Sequence, residues 1–160
     1  MKKKLDAAYG VIGLGRFGEA LATMLAQSGN EVIAVDKDEK KIREIRQYTD
    51  CAFVADNLSA DTLKEIGIQN CDVVIICIGE QVDVSVLTTM SVIEMGVPRV
   101  IAKALSPEQG AVLEKLGAEV VYPERDMALR LGKKCCPITF LNMFLCATRW
   151  KFARYLFRSV

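Results

Sequence analysis

The first long apolar run of the chain, YGVIGL, passes directly into Gly13-x-Gly15-x-x-Gly18, and the next apolar run, VIAVD, closes on the carboxylate of Asp36. A strand, a glycine turn, a helix and a second strand ending in an acid are the parts of a Rossmann βαβ unit, so this segment predicts a fold and a nucleotide together. Gly13 permits the tight turn, Gly15 lets the backbone approach a pyrophosphate, and Gly18 lets the helix that begins near Arg16 lie close to the strand. The phosphates then meet the unpaired amides and the positive end of that helix. Asp36 is expected to accept hydrogen bonds from ribose hydroxyls, and its charge disfavours a 2′-phosphate. NAD(H) or an adenine nucleotide is therefore favoured over NADP.

The rest of the chain repeats the same alternation. Apolar runs rich in β-branched residues (AYGVIGL, EVIAVD, AFVAD, DVVIICIG, RVIAK, EVVYP) are separated by segments with helical spacing at Arg16–Ser28, Asp38–Tyr48, Ser59–Ile66, Val82–Met95 and Pro107–Leu116. Continuous apolar strands such as VVIICI belong where helices cover both sheet faces, which makes the sheet parallel. The expected architecture is α/β: a doubly wound Rossmann fold with six parallel strands in the order 3-2-1-4-5-6. In such a sheet the ligand lies beyond the carboxyl ends of the strands, where the strand order reverses. Besides Gly13 to Gly18 (with Arg16 and Phe17) and Asp36 (with Lys37), the residues ending the strands become candidates: Asp56 with Asn57, Ile78 with Gly79, and Lys103. The guanidinium of Arg16, inside the glycine turn, is suited to bind a terminal phosphate bidentately.

Composition removes several alternatives. With 160 residues, 51% of them apolar, the chain can bury a sizeable core. Six cysteines without a CxxC pair, and an N-terminus with charge but no apolar signal core, suggest free thiols in a reducing cytosol. Histidine is absent, which argues against a zinc site and removes a histidine acid or base. The formal charge of +1 divides unevenly: residues 1–126 carry 14 basic and 20 acidic side chains, residues 127–160 seven basic and none acidic. The acidic body gives no electrostatic reason to expect nucleic acid as a partner.

From Tyr9 to about Lys134 the chain resembles the N-terminal nucleotide-binding domain of the regulator of K⁺ conductance (RCK) family, also called TrkA-N or KTN. VIGLGRFGEALA, EVIAVDKDEKKI, FVADNLSADTLKEIGI, DVVIICIGE, SVIEMGVPRVIAKA and GAEVVYPERDMALRLGKK carry the likeness. The resemblance implies a nucleotide-binding domain at 1–134 and leaves 135–160 as an atypical apolar and basic tail where family members continue through a crossover helix into a C-terminal domain. It places Arg16 near the nucleotide phosphates and Asp36 at the ribose. Asp56 with Asn57, the Ile78-Gly79-Glu80 segment and Lys103-Ala104 match the loops around adenosine and phosphates, and Gln109 stands where family members also approach the ligand. Glu124 matches an acid near the phosphates at a subunit interface, where it can help to hold a divalent cation or reach a neighbouring subunit's ligand. The resemblance further implies ATP or ADP, or NAD(H), as ligand, a homodimer assembling into an octameric ring, and an integral membrane potassium-translocating partner. The protein would then be cytoplasmic and peripheral at the inner face of the membrane.

The chief rival reading is a small NAD-dependent oxidoreductase, which needs a proton donor or acceptor beside the nicotinamide. The sequence offers no histidine and no Tyr-x-x-x-Lys pair, so binding without catalysis is the expectation. A nucleotide-dependent DNA repressor would need a basic recognition helix, which residues 1–126 do not supply. In the tail, the uncharged run Cys135–Thr148 is 14 residues long, short of the roughly 20 that a spanning helix needs. A segment that packs on a partner subunit or stays disordered is favoured there over interfacial membrane attachment.

Overall fold

The structure is a computed structural model and describes residues 7–135. The expectations for the tail beyond Cys135 lie outside the described residues. Six strands, β1 (Ala8–Ile12), β2 (Glu31–Asp36), β3 (Ala52–Val54), β4 (Val73–Ile76), β5 (Arg99–Lys103) and β6 (Glu119–Val121), form one sheet in the order β3-β2-β1-β4-β5-β6. Every pairing is parallel. The doubly wound order expected from the sequence is thus the order observed. Helices α1 (Arg16–Gln27), α2 (Glu39–Ile45), α3 (Ala60–Ile66), α4 (Val82–Glu94) and α5 (Pro107–Leu116) make the crossovers.

The period-two alternation of the strands divides the core into two layers. Val11 is in register with Ala34 on one side and Ile75 on the other, and all three pack with Ala22 of α1 and with Ile42 and Ile45 of α2. The next rung, Ile12 with Val35 and Ile76, turns to the opposite face and packs with Leu63, Val92 and Leu113 of α3, α4 and α5. Since both faces of β1 and β4 are covered, their strands are continuously apolar. Burying an isoleucine of this kind contributes about 1.5–3 kcal/mol.

Some elements depart from the sequence reading. Helix α2 stops at Ile45 rather than Tyr48. There the Tyr48 and Thr49 amides turn back onto the Ile45 carbonyl, and the Thr49 hydroxyl donates to the Val32 carbonyl at 2.6 Å, which draws the chain down to the sheet. A sixth helix, α6 (Pro123–Cys135), was not among the segments picked out by spacing. Proline at its first position, Glu124 and Asp126 in its first turn and Lys133 and Lys134 in its last fit the helix dipole at both ends. The chain divides into two compact units, 1–123 and 124–160. Each is treated by itself, and of the second only α6, which has no buried residue, is described.

Candidate functional site

The glycine turn is built as the sequence requires, but its three glycines have different reasons. Gly13 has φ +96°, and a Cβ there would press on Ile78 and on the Cys77 backbone at 3.2–3.3 Å. Its amide donates to the Val35 carbonyl at 2.8 Å, tying the turn to β2. Gly18 is a packing glycine: a Cβ would collide with the Gly13 carbonyl oxygen and come within 3.1 Å of the Cys77 Cβ. Gly15 is neither. Its backbone is extended (φ −71°, ψ −178°), and a Cβ there would meet nothing within 4 Å. The fold does not require glycine at that position.

Helix starts sharpen the point. Helices α2, α3 and α5 are each capped by a side chain: Asp38 accepts from the Lys40 amide, Ser59 from Thr62 and Ser106 from Gln109. Helices α1 and α4 begin at Gly15 and Gln81 with no side-chain cap. They follow β1 and β4, the neighbours between which the strand order reverses. Of the five helices that cover the sheet, the two without a side-chain cap among the described residues therefore flank the switch point, where an anion is favoured by the amides and the dipole together.

Asp36, at the carboxyl end of β2, is only 8% exposed. Its Oδ2 accepts the amide hydrogen of Leu14, inside the glycine turn, and its Oδ1 accepts that of Asp38 at 2.9 Å. The Lys41 ammonium stands 3.5 Å from Oδ2. The sequence marked Asp36, took in Leu14 only as part of the glycine turn, and missed Lys41. Lys41 had a signal, since DKDEKK places a lysine in the first turn after the acid; Leu14 had none, because its contribution is a backbone amide.

Other expected site residues gather around the same edge. Ile78 abuts Gly13, and Gly79 lies against the Leu105 side chain, so the loops after β1, β4 and β5 touch in sequence. The Lys103 ammonium sits 5.9 Å from the centroid of the Phe17 ring, a cation–π contact joining the end of β5 to the first turn of α1. Arg16 is exposed in that turn, with no ion-pair partner among the described residues. Lys37 and Glu80 are exposed beside Asp36 and Gly79, and Asp56 with Asn57 are exposed in the loop after β3, two strands from the glycine turn. Ala104 and Gln109 also make hydrogen bonds within the fold. The Ala104 amide donates to the Val121 carbonyl at 2.9 Å, and the Gln109 Oε1 accepts the Leu105 amide at 2.9 Å while its Nε2 is buried without a partner among the described residues. Glu124 is exposed in the first turn of α6 and belongs to the second unit.

Two hollows lie among the described residues, one reaching Arg16 at this edge and one away from it. One, of about 560 Å³, runs between α1 and α2 past Arg16, Met24, Glu44 and Tyr48. The other, of about 710 Å³, is lined by Ala8, Glu31, Cys51 and Asn70 at the amino ends of the strands, the edge that lacks helix N-termini. Beneath the glycine turn, Cys77 is buried and its thiol pKa is pushed up to about 12 by loss of solvent, which keeps it protonated and unreactive. Among the described residues no group of three or more His, Cys, Asp or Glu could hold a metal ion, and no helix is long and apolar enough to cross a membrane.

Known proteins share this sequence pattern and fold. The chain is 42% identical over 133 residues to the Ktr system potassium uptake protein C of Bacillus subtilis, covering 82% of this chain and 58% of that one. It is 40% identical over 130 residues to the Ktr system potassium uptake protein A of Vibrio alginolyticus, covering 81% and 59%. The chain thus spans about three fifths of the length of these relatives. Among solved structures, GsuK bound to ADP superposes with a TM-score of 0.66 at 24% identity, covering 82% of this chain and 34% of that one. The GsuK channel bound to NAD gives a TM-score of 0.60 at 15% identity, covering 76% and 22%. The TrkA-N domain model matches residues 9–123, the whole sheet with the five helices that cover it, and the chain belongs to the TrkA-N domain family.

Proposed function

We propose that this domain binds an adenine nucleotide, ATP, ADP or NAD(H), at the carboxyl edge of β1 and β4, and that the bound ligand regulates a potassium-translocating membrane partner without being turned over. The observation that carries the reading is the pair of uncapped helices at the switch point, beside a glycine that the fold itself does not need. The residues fit such a ligand. The first turn of α1 suits the phosphates, Asp36 the ribose, and its negative charge disfavours a 2′-phosphate. Arg16 supplies the selectivity: a planar guanidinium meets a γ-phosphate bidentately and finds nothing equivalent on ADP.

Regulation requires that the ligand bind two states of an assembly differently, because equal affinity shifts no equilibrium. A γ-phosphate on Arg16 provides such a difference. The relatives' names tie the family to potassium uptake, and the proposed assembly is a homodimer built into an octameric ring beneath the membrane subunit. Glu124 is proposed to help hold a divalent cation at the interface between subunits. The protein would accordingly work on the cytoplasmic side, held at the membrane by its partner.

Competitive displacement of a fluorescent adenine nucleotide tests the reading. ATP, ADP and NADH are expected to displace it, and Arg16→Ala to weaken ATP by about tenfold or more, the scale of one charge-assisted contact, while ADP changes little. Failure of all three nucleotides to displace the probe would sink the site. Unchanged ATP affinity in the variant would remove Arg16 from the mechanism.

A further inference from the structure

The geometry points to a second duty for Asp36, one that rests on the nucleotide reading and deepens it: Asp36 is a positioning residue that locks the glycine turn into its ligand-accepting shape before any ligand arrives. A ribose-binding acid would be expected to present its oxygens to the crevice. Here the carboxylate is 8% exposed, and each oxygen is already engaged by backbone. Oδ2 takes the Leu14 amide, 22 residues away in the middle of the turn, and Oδ1 takes the Asp38 amide at the start of α2. One side chain thus fastens the loop after β1 to the loop after β2.

The lock has a physical purpose. Leu14 is flanked by Gly13 and Gly15, and glycine loses more backbone freedom on ordering than any other residue. A turn left loose would have to be ordered by the ligand at the expense of affinity, whereas a turn already fixed presents its amides at no further cost. Lys41 adds an ion pair to the same carboxylate, its ammonium standing 3.5 Å from Oδ2. A carboxylate has about four lone-pair sites, so two backbone bonds and one ammonium contact still leave capacity for a ribose hydroxyl. The two duties are compatible, which is why an experiment must separate them.

The separation comes from removing the hydroxyls from the ligand as well as the carboxylate from the protein. ADP and 2′,3′-dideoxy-ADP are titrated against wild type, Asp36→Ala and Asp36→Asn. Asparagine keeps the shape but replaces one acceptor oxygen with a donor that opposes a backbone N–H. If Asp36 acts only through the ribose, the variants bind dideoxy-ADP as wild type does. If it positions the turn, the variants lose at least tenfold on dideoxy-ADP too, with melting temperatures recorded to confirm that they fold. Amide hydrogen exchange on wild type without nucleotide decides the matter even should both variants fail to fold. The Leu14 amide is expected to be protected in the free protein, and protection that appears only on adding ADP would overturn the proposal. Were wild type to bind no ADP while Leu14 stayed protected, the nucleotide reading would fall and the lock would stand.

Discussion

The starts of α3 and α1 answer the same physical problem in opposite ways. Every helix begins with amides that have no partner inside it. At α3 the chain answers with Ser59, whose hydroxyl accepts from the Thr62 amide and also meets the Thr62 hydroxyl at 2.9 Å. At α1 it places Gly15, which has nothing to offer, in a conformation that any residue could adopt and with open space where a side chain would go. Where a helix start is only structure, the protein satisfies its own donors. Where the start is bare by composition rather than by steric need, the donors are open to the proposed ligand.

The widest separation between the two kinds of glycine comes from substituting Gly15 and Gly18 in turn. Gly15→Asp gives α1 a cap of the ordinary kind, and its backbone already has the extended geometry of an N-cap. Thermal unfolding is expected to show stability unchanged or raised by up to about 1 kcal/mol. Nucleotide affinity is expected to fall by at least about a hundredfold, because the new carboxylate takes the amides and repels the phosphates. Gly18→Ala reverses the pattern. Its Cβ would meet the Gly13 carbonyl and the helix must retreat from the turn, so stability drops by about 1–3 kcal/mol as in other overpacked sites. If Gly15→Asp retained full affinity, the contrast between bare and capped helices would have no functional meaning.

How much of this was legible follows from the same contrast. The strands, their order and the glycine turn were readable because they rest on apolar period, on residue types with narrow conformational uses and on the chirality of parallel crossovers. Gly13 and Gly18 could be given their roles in advance for the same reason. Three features could not be read. The engagement of Asp36 by Leu14 is a long-range bond to a backbone amide, which no side-chain pattern announces. The early end of α2 is set by Thr49 reaching the Val32 carbonyl, a tertiary contact that overrides local propensity. The packing role of Gln109, marked as a ligand neighbour, was not foreseen either: it is 4% exposed and its carbonyl oxygen holds the Leu105 amide, since a buried polar side chain finds partners wherever the fold offers them.

A smaller effect tests the capped side of the comparison. Ser59→Ala and Ser106→Ala each remove a hydroxyl that accepts a first-turn amide, and each is expected to lower stability by about 1 kcal/mol in chemical denaturation. Neither should change ADP affinity by more than about twofold, because these starts are closed by the chain's own side chains. A tenfold loss of affinity in Ser59→Ala would show that α3 belongs to the ligand site after all.

The smallest effect concerns what lies under the bare turn. Cys77 and Cys71 are buried, and loss of solvent pushes their thiols from about 9 up to about 12 and about 11, with Asp72 adding to the rise at Cys71. A thiol is neutral when protonated, so burial opposes ionisation and the folded state holds the proton more tightly than the unfolded one. The stability that this linkage contributes is whole below about pH 9 and declines between about pH 9 and 12, as the unfolded thiols ionise before the folded ones. Iodoacetamide at pH 8 followed by mass spectrometry is expected to label exposed Cys51 within minutes and to spare Cys71 and Cys77 until the chain is denatured. Adding ADP should leave that pattern unchanged, because the proposed ligand lies above the turn and Cys77 below it. Rapid labelling of Cys77 in the native protein would mean that the packing beneath Gly18 opens readily, and the rigid floor on which the bare amides are displayed would have to be given up.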